Sequence, residues 1–66
     1  STLDYIKESV RNKNISGNYN DTETINDYEI RKIVEEDEYY YKCYKIVIEV
    51  KKKEQIRRLE SYVLQQ

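Results

Sequence analysis

The sequence offers few side chains that could carry out catalysis. It contains no histidine and a single cysteine, Cys43, so the usual general base near neutral pH and any Ser-His or Cys-His pair are missing. A glycine-rich phosphate loop is also missing, because Gly17 is the only glycine. We therefore expect a protein that is not an enzyme and that uses no cofactor.

The acidic residues at positions 35–38 form the one cluster that could bind a hard cation. Consecutive residues in a strand or an open turn point in different directions, and these four lack the spaced oxygen ligands of a calcium loop. We expect a solvated acidic turn and no metal site. Charges at such a turn would also protect an exposed hairpin tip from edge-to-edge aggregation.

Tyrosines and basic residues alternate through the stretch YYYKCYK at 39–45, and further basic residues follow it. Tyrosine and arginine are enriched in protein interfaces, whereas exposed tyrosines and lysines can also stack on bases and neutralise phosphates. A third interpretation is that the tyrosines build the core of a chain that has no Phe or Trp. We predict a protein partner, with nucleic acid as the alternative, contacted by Tyr39, Tyr41, Lys42, Lys45, Lys51, Lys52, Lys53, Arg57 and Arg58.

The net charge of −1 hides an asymmetry between the two halves of the chain. Residues 1–38 contain five basic and ten acidic residues, whereas residues 39–66 contain seven basic and three acidic residues. One explanation is that the halves pack together and neutralise each other. The other is that the basic C-terminal half faces an acidic partner.

The length of 66 residues predicts a single domain with a small core. A chain of this size buries only about 60% of the surface of its unfolded form, so a homodimer through the hairpin or the C-terminal helix would compensate for the shortage of core. With one cysteine and no long apolar run, we expect a soluble, cytoplasmic protein that does not contact a membrane. The bias toward Asn, Lys, Ile, Tyr and Glu suggests an AT-rich coding sequence, and we predict a viral or mobile-element regulator or inhibitor of a host protein.

The segment 39–50 is the strongest strand prediction, because it concentrates tyrosyl and β-branched side chains in one unbroken run. Alternation places Tyr44, Ile46, Ile48 and Val50 on one face. The other face also carries apolar residues, which predicts a strand that is central in its sheet or covered on both faces.

The segments before this strand predict a helix, a loop and a second strand. Ser1 or Thr2 can cap a helix, and Leu3, Ile6 and Val10 form one helical stripe behind this cap, so a helix is expected over residues 2–12, followed by a loop over 12–21. Residues 28–36 are expected to pair with 39–50 as an antiparallel hairpin around a turn at Asp37-Glu38. A helix over 22–36 is the alternative.

After Val50 the apolar period changes, and Ile56, Leu59, Tyr62 and Val63 recur at helical spacing. This pattern predicts an amphipathic C-terminal helix over residues 52–65. The fold class that follows is a small single α+β domain with an N-terminal helix, a long loop, a hairpin and a C-terminal helix.

Overall fold

The structure is a computed structural model that describes residues 1–65. Within these residues it contains one helix and four strands: α1 (Thr2–Arg11), β1 (Tyr19–Ile25), β2 (Tyr28–Glu36), β3 (Cys43–Lys52) and β4 (Gln55–Leu64). Each strand pairs antiparallel with the next, so the sheet has the order β1-β2-β3-β4 and the chain forms a simple meander.

Helix α1 begins at a capped N-terminus, as its sequence predicts. The Ser1 hydroxyl accepts a hydrogen bond of 3.3 Å from the backbone N–H of Asp4, and the Asp4 carboxylate lies in the first turn at the positive end of the helix dipole. The apolar stripe faces the sheet, where Ile6 and Val10 are buried. The helix ends where Lys13 adopts a left-handed conformation, with φ of 61°.

Strand β3 is central in the sheet and supplies more of the buried core than any other element. Its even-numbered residues face α1, and Tyr44, Ile46 and Ile48 are all buried there, which confirms the predicted alternation. We call this the helix-side face and its opposite the open face. The cluster on the helix-side face consists of Ile6, Val10, Val34, Tyr44, Ile46, Ile48 and Val63, with Leu3, Ile15, Ile30 and Val50 packed around it.

Helix α1 is too short to cover the whole helix-side face. Ten helical residues span about 15 Å, whereas the ten residues of β3 span about 33 Å. The helix contacts only β3 and β4, near the end of the sheet where residues 37–42 connect β2 to β3. At the other end, which we call the turn end because it carries the turns 26–27 and 53–54, Ile25 and Tyr28 are 49% and 42% exposed.

The predicted hairpin exists, but its register and its connection differ from the expectation. Val34 pairs with Ile46 rather than with Tyr41, because residues 37–42 form a six-residue loop in place of a tight turn at 37–38. The tyrosines at 39–41 therefore lie outside β3. The alternative helix over 22–36 is wrong, since these residues contribute to β1 and β2, and β1 begins at Tyr19 inside the expected loop.

The predicted C-terminal helix is wrong. Residues 55–64 form β4, which pairs with β3 from Lys52–Gln55 to Cys43–Leu64 without interruption. The predicted α+β fold class is therefore wrong as well, and the chain is mostly β, with one N-terminal helix packed on a four-stranded antiparallel sheet. Pairing with β4 satisfies the backbone groups on the second side of β3 and places Val63 in the core cluster, directly opposite Tyr44.

Candidate protein-binding surface

The loop 37–42, which we call the tyrosine loop, is held in one conformation by backbone and side-chain hydrogen bonds. The carboxylate of Asp37 accepts hydrogen bonds of 2.9 Å from the N–H of Tyr39 and 2.8 Å from that of Tyr40. The loop is closed at its base by the N–H of Asp37, which donates to the carbonyl of Cys43 at 2.8 Å, and the N–H of Cys43 donates to the carbonyl of Tyr40 at 3.2 Å. These bonds fix the loop before any partner arrives.

The three tyrosines of this loop project into solvent. Tyr39, Tyr40 and Tyr41 are 87%, 71% and 89% exposed, so none of them serves as core. Lys42 is held in the left-handed region, with φ of 57°, and its Nζ lies 5.6 Å from the centroid of the Tyr41 ring. The interpretation of the tyrosines as core therefore holds for Tyr44, which is buried, but not for the loop.

A cleft lies between the tyrosine loop and the open face of the sheet. It has a volume of about 300 Å³ and is lined by Asp37, Tyr40, Cys43 and Tyr62. Tyr62 is 56% exposed and projects from β4 on the open face, where the register places it opposite Lys45. Aromatic walls around an open, shallow cleft suit a side chain presented by another protein.

The structure separates the predicted partner-binding residues into three groups. Tyr39, Tyr41 and Lys42 lie in the tyrosine loop, whereas four basic residues lie at or near the turn end. The nine residue steps along β3 from Cys43 to Lys52 correspond to about 30 Å at 3.3 Å per residue. The basic group consists of Lys51, Lys52, Lys53 and Arg57.

The remaining two predicted residues, Lys45 and Arg58, are already paired with carboxylates on the open face. Lys45 lies 3.7 Å from Glu60, and Arg58 lies 2.7 Å from Glu60 and 3.6 Å from Glu49. The hydrogen bond from Arg58, together with the nearby charge of Lys45, lowers the pKa of Glu60 from its ordinary value of 4.5. These two cations therefore compensate the charges of Glu49 and Glu60 on the open face.

The charge asymmetry of the sequence is not neutralised by direct ion pairs between the halves. Every ion pair formed within residues 1–65 joins two residues of the same half, as Lys32 with Glu23 at 2.7 Å and Arg11 with Glu8 at 2.9 Å illustrate for the first half. The carboxylates at 35–38 lie beside the tyrosine loop, and the basic group lies at the opposite end. The molecule thus has an acidic aromatic end, whereas the turn end carries the basic group together with Asp27, Glu29 and Glu54.

Two surfaces are found only in the structure. One is the half of the helix-side face that α1 leaves uncovered. The other is the outer edge of β4, whose side chains Ile56, Leu59, Tyr62 and Leu64 are all at least half exposed. The alternation of Ile56, Tyr62 and Leu64 on even positions was the available signal for β4, but Leu59 and Val63 match a helical period equally well.

The described part of the chain offers no site for a metal, since no three acidic or cysteine side chains converge within residues 1–65. Nor does that part contain a helix of the length and apolarity needed to cross a membrane. Comparison with protein-family models, curated proteins and solved structures finds no match to this chain.

Proposed function

We propose that this chain is a non-catalytic module that binds another protein through the tyrosine loop. The observation that carries the proposal is the exposure of three consecutive tyrosines on a loop whose backbone is already fixed. Tyrosine supplies a large amphipathic contact area with only two side-chain torsions to immobilise, so its entropic cost on binding is low. A preordered loop lowers that cost further, because its backbone does not have to be ordered by the partner.

A partner bound at this loop would find hydrogen-bonding groups beside the aromatic rings. The tyrosyl hydroxyls can donate and accept, the nearby carboxylates at 35–38 can accept, and Lys42 can donate. The cleft beside Tyr40 adds a recess for one partner side chain. A small cytoplasmic protein that works in this way would regulate or inhibit its partner by covering part of its surface, and a viral or mobile-element source remains our prediction.

The distribution of charge favours a protein over a nucleic acid at the tyrosine loop. Base stacking on aromatic side chains requires cations nearby to neutralise phosphates. Here Lys42 is the one cation of the tyrosine loop, the loop is flanked by the carboxylates at 35–38, and the basic group lies about 30 Å away along the sheet. A nucleic acid that stacked on the loop would be repelled by those carboxylates.

The experiment compares three tagged chains as baits in lysate from cells that encode the protein. The wild type is compared with the double variant Tyr39→Ser/Tyr41→Ser, and Tyr5→Ser is the matched control because Tyr5 is an exposed tyrosine on α1. We expect one protein to be retained by wild type and Tyr5→Ser and lost from the double variant. With the purified partner, loss of two central tyrosines should weaken binding by about 100-fold or more. Equal retention by all three baits would overturn the proposal.

Nucleic acid remains a second candidate, at the turn end. Lys51, Lys52, Lys53 and Arg57 have no carboxylate within ion-pair distance among residues 1–65, so their charges are available to an anionic ligand. Lys52 also contacts an aromatic ring, since its Nζ lies 5.0 Å from the centroid of Tyr28. Oligonucleotide affinity measured against salt concentration is the test, because each phosphate contact adds about one unit to the slope. Loss of binding when these four residues are changed to Gln would support this candidate, and unchanged retention would exclude it.

A further inference from the structure

Strand β4 forms one edge of the sheet, and its free hydrogen-bonding groups can be assigned. The N–H of Gln65 donates to the carbonyl of Lys42 at 2.8 Å, which makes residues 42 and 65 a hydrogen-bonded pair. Along an antiparallel ladder, hydrogen-bonded pairs alternate with non-hydrogen-bonded pairs. Because Gln65 belongs to a hydrogen-bonded pair, the other odd-numbered residues of β4 also form their backbone hydrogen bonds with β3. The N–H and C=O groups of the even-numbered residues therefore point outward, at positions 56, 58, 60, 62 and 64.

This edge lacks most of the features that normally prevent strands from pairing with another chain. Residues 55–64 contain no proline and no lysine, the β3–β4 register continues without a bulge, and four apolar or aromatic side chains are half exposed or more. The charged residues of this edge are Arg57, Arg58 and Glu60, which carry both signs. The opposite edge, β1, is different. It carries Asp21 and Glu23 among polar residues and has few apolar side chains to offer.

The sequence of β4 is complementary to itself in one antiparallel register. With Leu59 opposite its own copy, Arg58 faces Glu60 and Ile56 faces Tyr62, each twice because of the two-fold symmetry. Opposite charges and apolar pairs directly across two strands stabilise a sheet. Moving the centre by one residue places Arg58 against Arg58 or Glu60 against Glu60, which is unfavourable.

We propose that β4 pairs with β4 of a second copy of this chain, centred on Leu59, to form a continuous eight-stranded antiparallel sheet. The backbone geometry fits this register. The pairs Arg58–Glu60 and Ile56–Tyr62 join even-numbered residues, whose free N–H and C=O groups meet in about eight hydrogen bonds. Leu59 then forms the central non-hydrogen-bonded pair, in which Cα atoms approach to about 4.5 Å. Both copies of α1 lie on the same face of the joined sheet.

Disulfide trapping tests the register directly. In a Cys43→Ser background, Leu59→Cys places two thiols at a Cα separation that suits a disulfide, so mild oxidation should convert most of the chain to a covalent dimer. Ser61→Cys in the same background is the control. Position 61 lies opposite Arg57, so its two copies are separated by four residues, or about 13 Å, and should stay reduced. Equal trapping at both positions, or none at Leu59→Cys, would overturn this interface.

Charge reversal gives a second test that does not depend on oxidation. Arg58→Glu alone sets carboxylates opposite carboxylates, and Glu60→Arg alone sets arginines opposite arginines, so each variant should dimerise about 10-fold more weakly than wild type in sedimentation equilibrium. An equimolar mixture of the two variants restores Glu–Arg at every charged position and should form the heterodimer. A mixture that stays monomeric, or a wild type that is monomeric at every concentration, would overturn the proposal.

The charge variants lie in β4 and leave Tyr39, Tyr41 and the cleft residue Cys43 unchanged, so the two proposals fail separately when partner binding is measured on these variants. A chain that dimerises through β4 but binds no partner through the loop refutes only the proposed function. A monomer that binds its partner through the loop refutes only the dimer.

Discussion

Substitution of Ile46 tests whether α1 covers only half of the helix-side face. Ile46 and Ile25 both lie on this face, but Ile46 is fully buried beneath the helix and Ile25 is 49% exposed at the turn end. The same change, Ile→Ala, removes the same atoms at both positions. Only the burial and the surrounding packing differ.

The expected losses in the free energy of unfolding differ several-fold. Ile46→Ala removes a completely buried side chain and leaves a cavity under α1, which costs about 2–5 kcal/mol. Ile25→Ala removes a half-solvated side chain and should cost about 1 kcal/mol. A domain of 66 residues has a total stability of roughly 3–10 kcal/mol. Ile46→Ala is therefore expected to leave the chain close to its unfolding threshold.

Urea unfolding followed by far-UV circular dichroism measures both losses. Ile46→Val provides a milder variant, expected to cost about 1 kcal/mol, which keeps the comparison possible if Ile46→Ala does not fold. Ile25→Val should then be nearly neutral. Equal losses at positions 46 and 25 would mean that the helix covers both ends of the sheet or neither. Either result would refute the half-covered arrangement.

Three further predictions concern the loop, an ion pair and the turns. Asp37→Ala removes the acceptor for the N–H groups of Tyr39 and Tyr40. Amide hydrogen exchange at these two positions should therefore accelerate, and the free energy of unfolding should fall by about 1 kcal/mol. Unchanged exchange would show that the loop is fixed by other contacts. The hydrogen bond to Glu23 raises the pKa of Lys32 above its ordinary 10.5, so this pair stabilises the fold fully below pH 10.5 and loses its contribution as the pH rises through the pKa of the folded state. The stability difference between wild type and Glu23→Gln should thus shrink in that alkaline range, and a constant difference would contradict the assignment. Lys53 and Gly17 both adopt left-handed backbone conformations, with φ of 55° and 76°. In thermal unfolding, Lys53→Gly should raise the stability of the fold by about 0.5–1 kcal/mol and Gly17→Ala should lower it by about 1 kcal/mol, because glycine adopts this conformation without strain. Effects of the same sign would contradict the backbone argument.

The sequence predicted the elements whose patterns have one interpretation. The stripe of Leu3, Ile6 and Val10 behind a Ser1 cap specifies a helix, and the alternation through Tyr44, Ile46 and Ile48 specifies a buried strand. Both features are present. Each depends on local spacing, which a sequence displays directly.

The C-terminal segment could not be predicted in this way, because its apolar residues satisfy two periods at once. Leu59 and Val63 are four residues apart, as on a helix, yet they also fall on the same face of a strand. The decision comes from tertiary pairing, since β3 needs a neighbour on its second side. The register of the hairpin failed for a related reason. Asp37 is the first residue after β2, and its carboxylate accepts two backbone hydrogen bonds within the six-residue loop. Its position next to Glu38 in the sequence does not reveal these bonds.

The residues of the candidate site could likewise be predicted only in part from the sequence. Tyr39 and Tyr41 were predicted as partner contacts from the alternation of tyrosines with basic residues, and burial in the core was the competing interpretation; the structure leaves both exposed on one loop. The distance between these tyrosines and the basic group depends on where β3 begins, which sequence spacing alone misjudged. Once the loop is excluded from the strand, the tyrosines and the cations lie at opposite ends of the sheet.

The separation of charge along the sheet is too distant from the seam to hold the proposed dimer together. Antiparallel pairing of β4 with its copy sets the turn end of one chain beside the loop end of the other, but the partner's carboxylates at 35–38 lie two strands in from the seam. At about 4.8 Å per strand, even Arg57, which lies on β4, is about 14 Å from them, beyond the Debye length of about 8 Å at physiological salt. The charges that act across the seam are therefore Arg58 and Glu60, which face each other directly. Added salt should weaken the dimer only by screening these two pairs, because its backbone hydrogen bonds are unchanged.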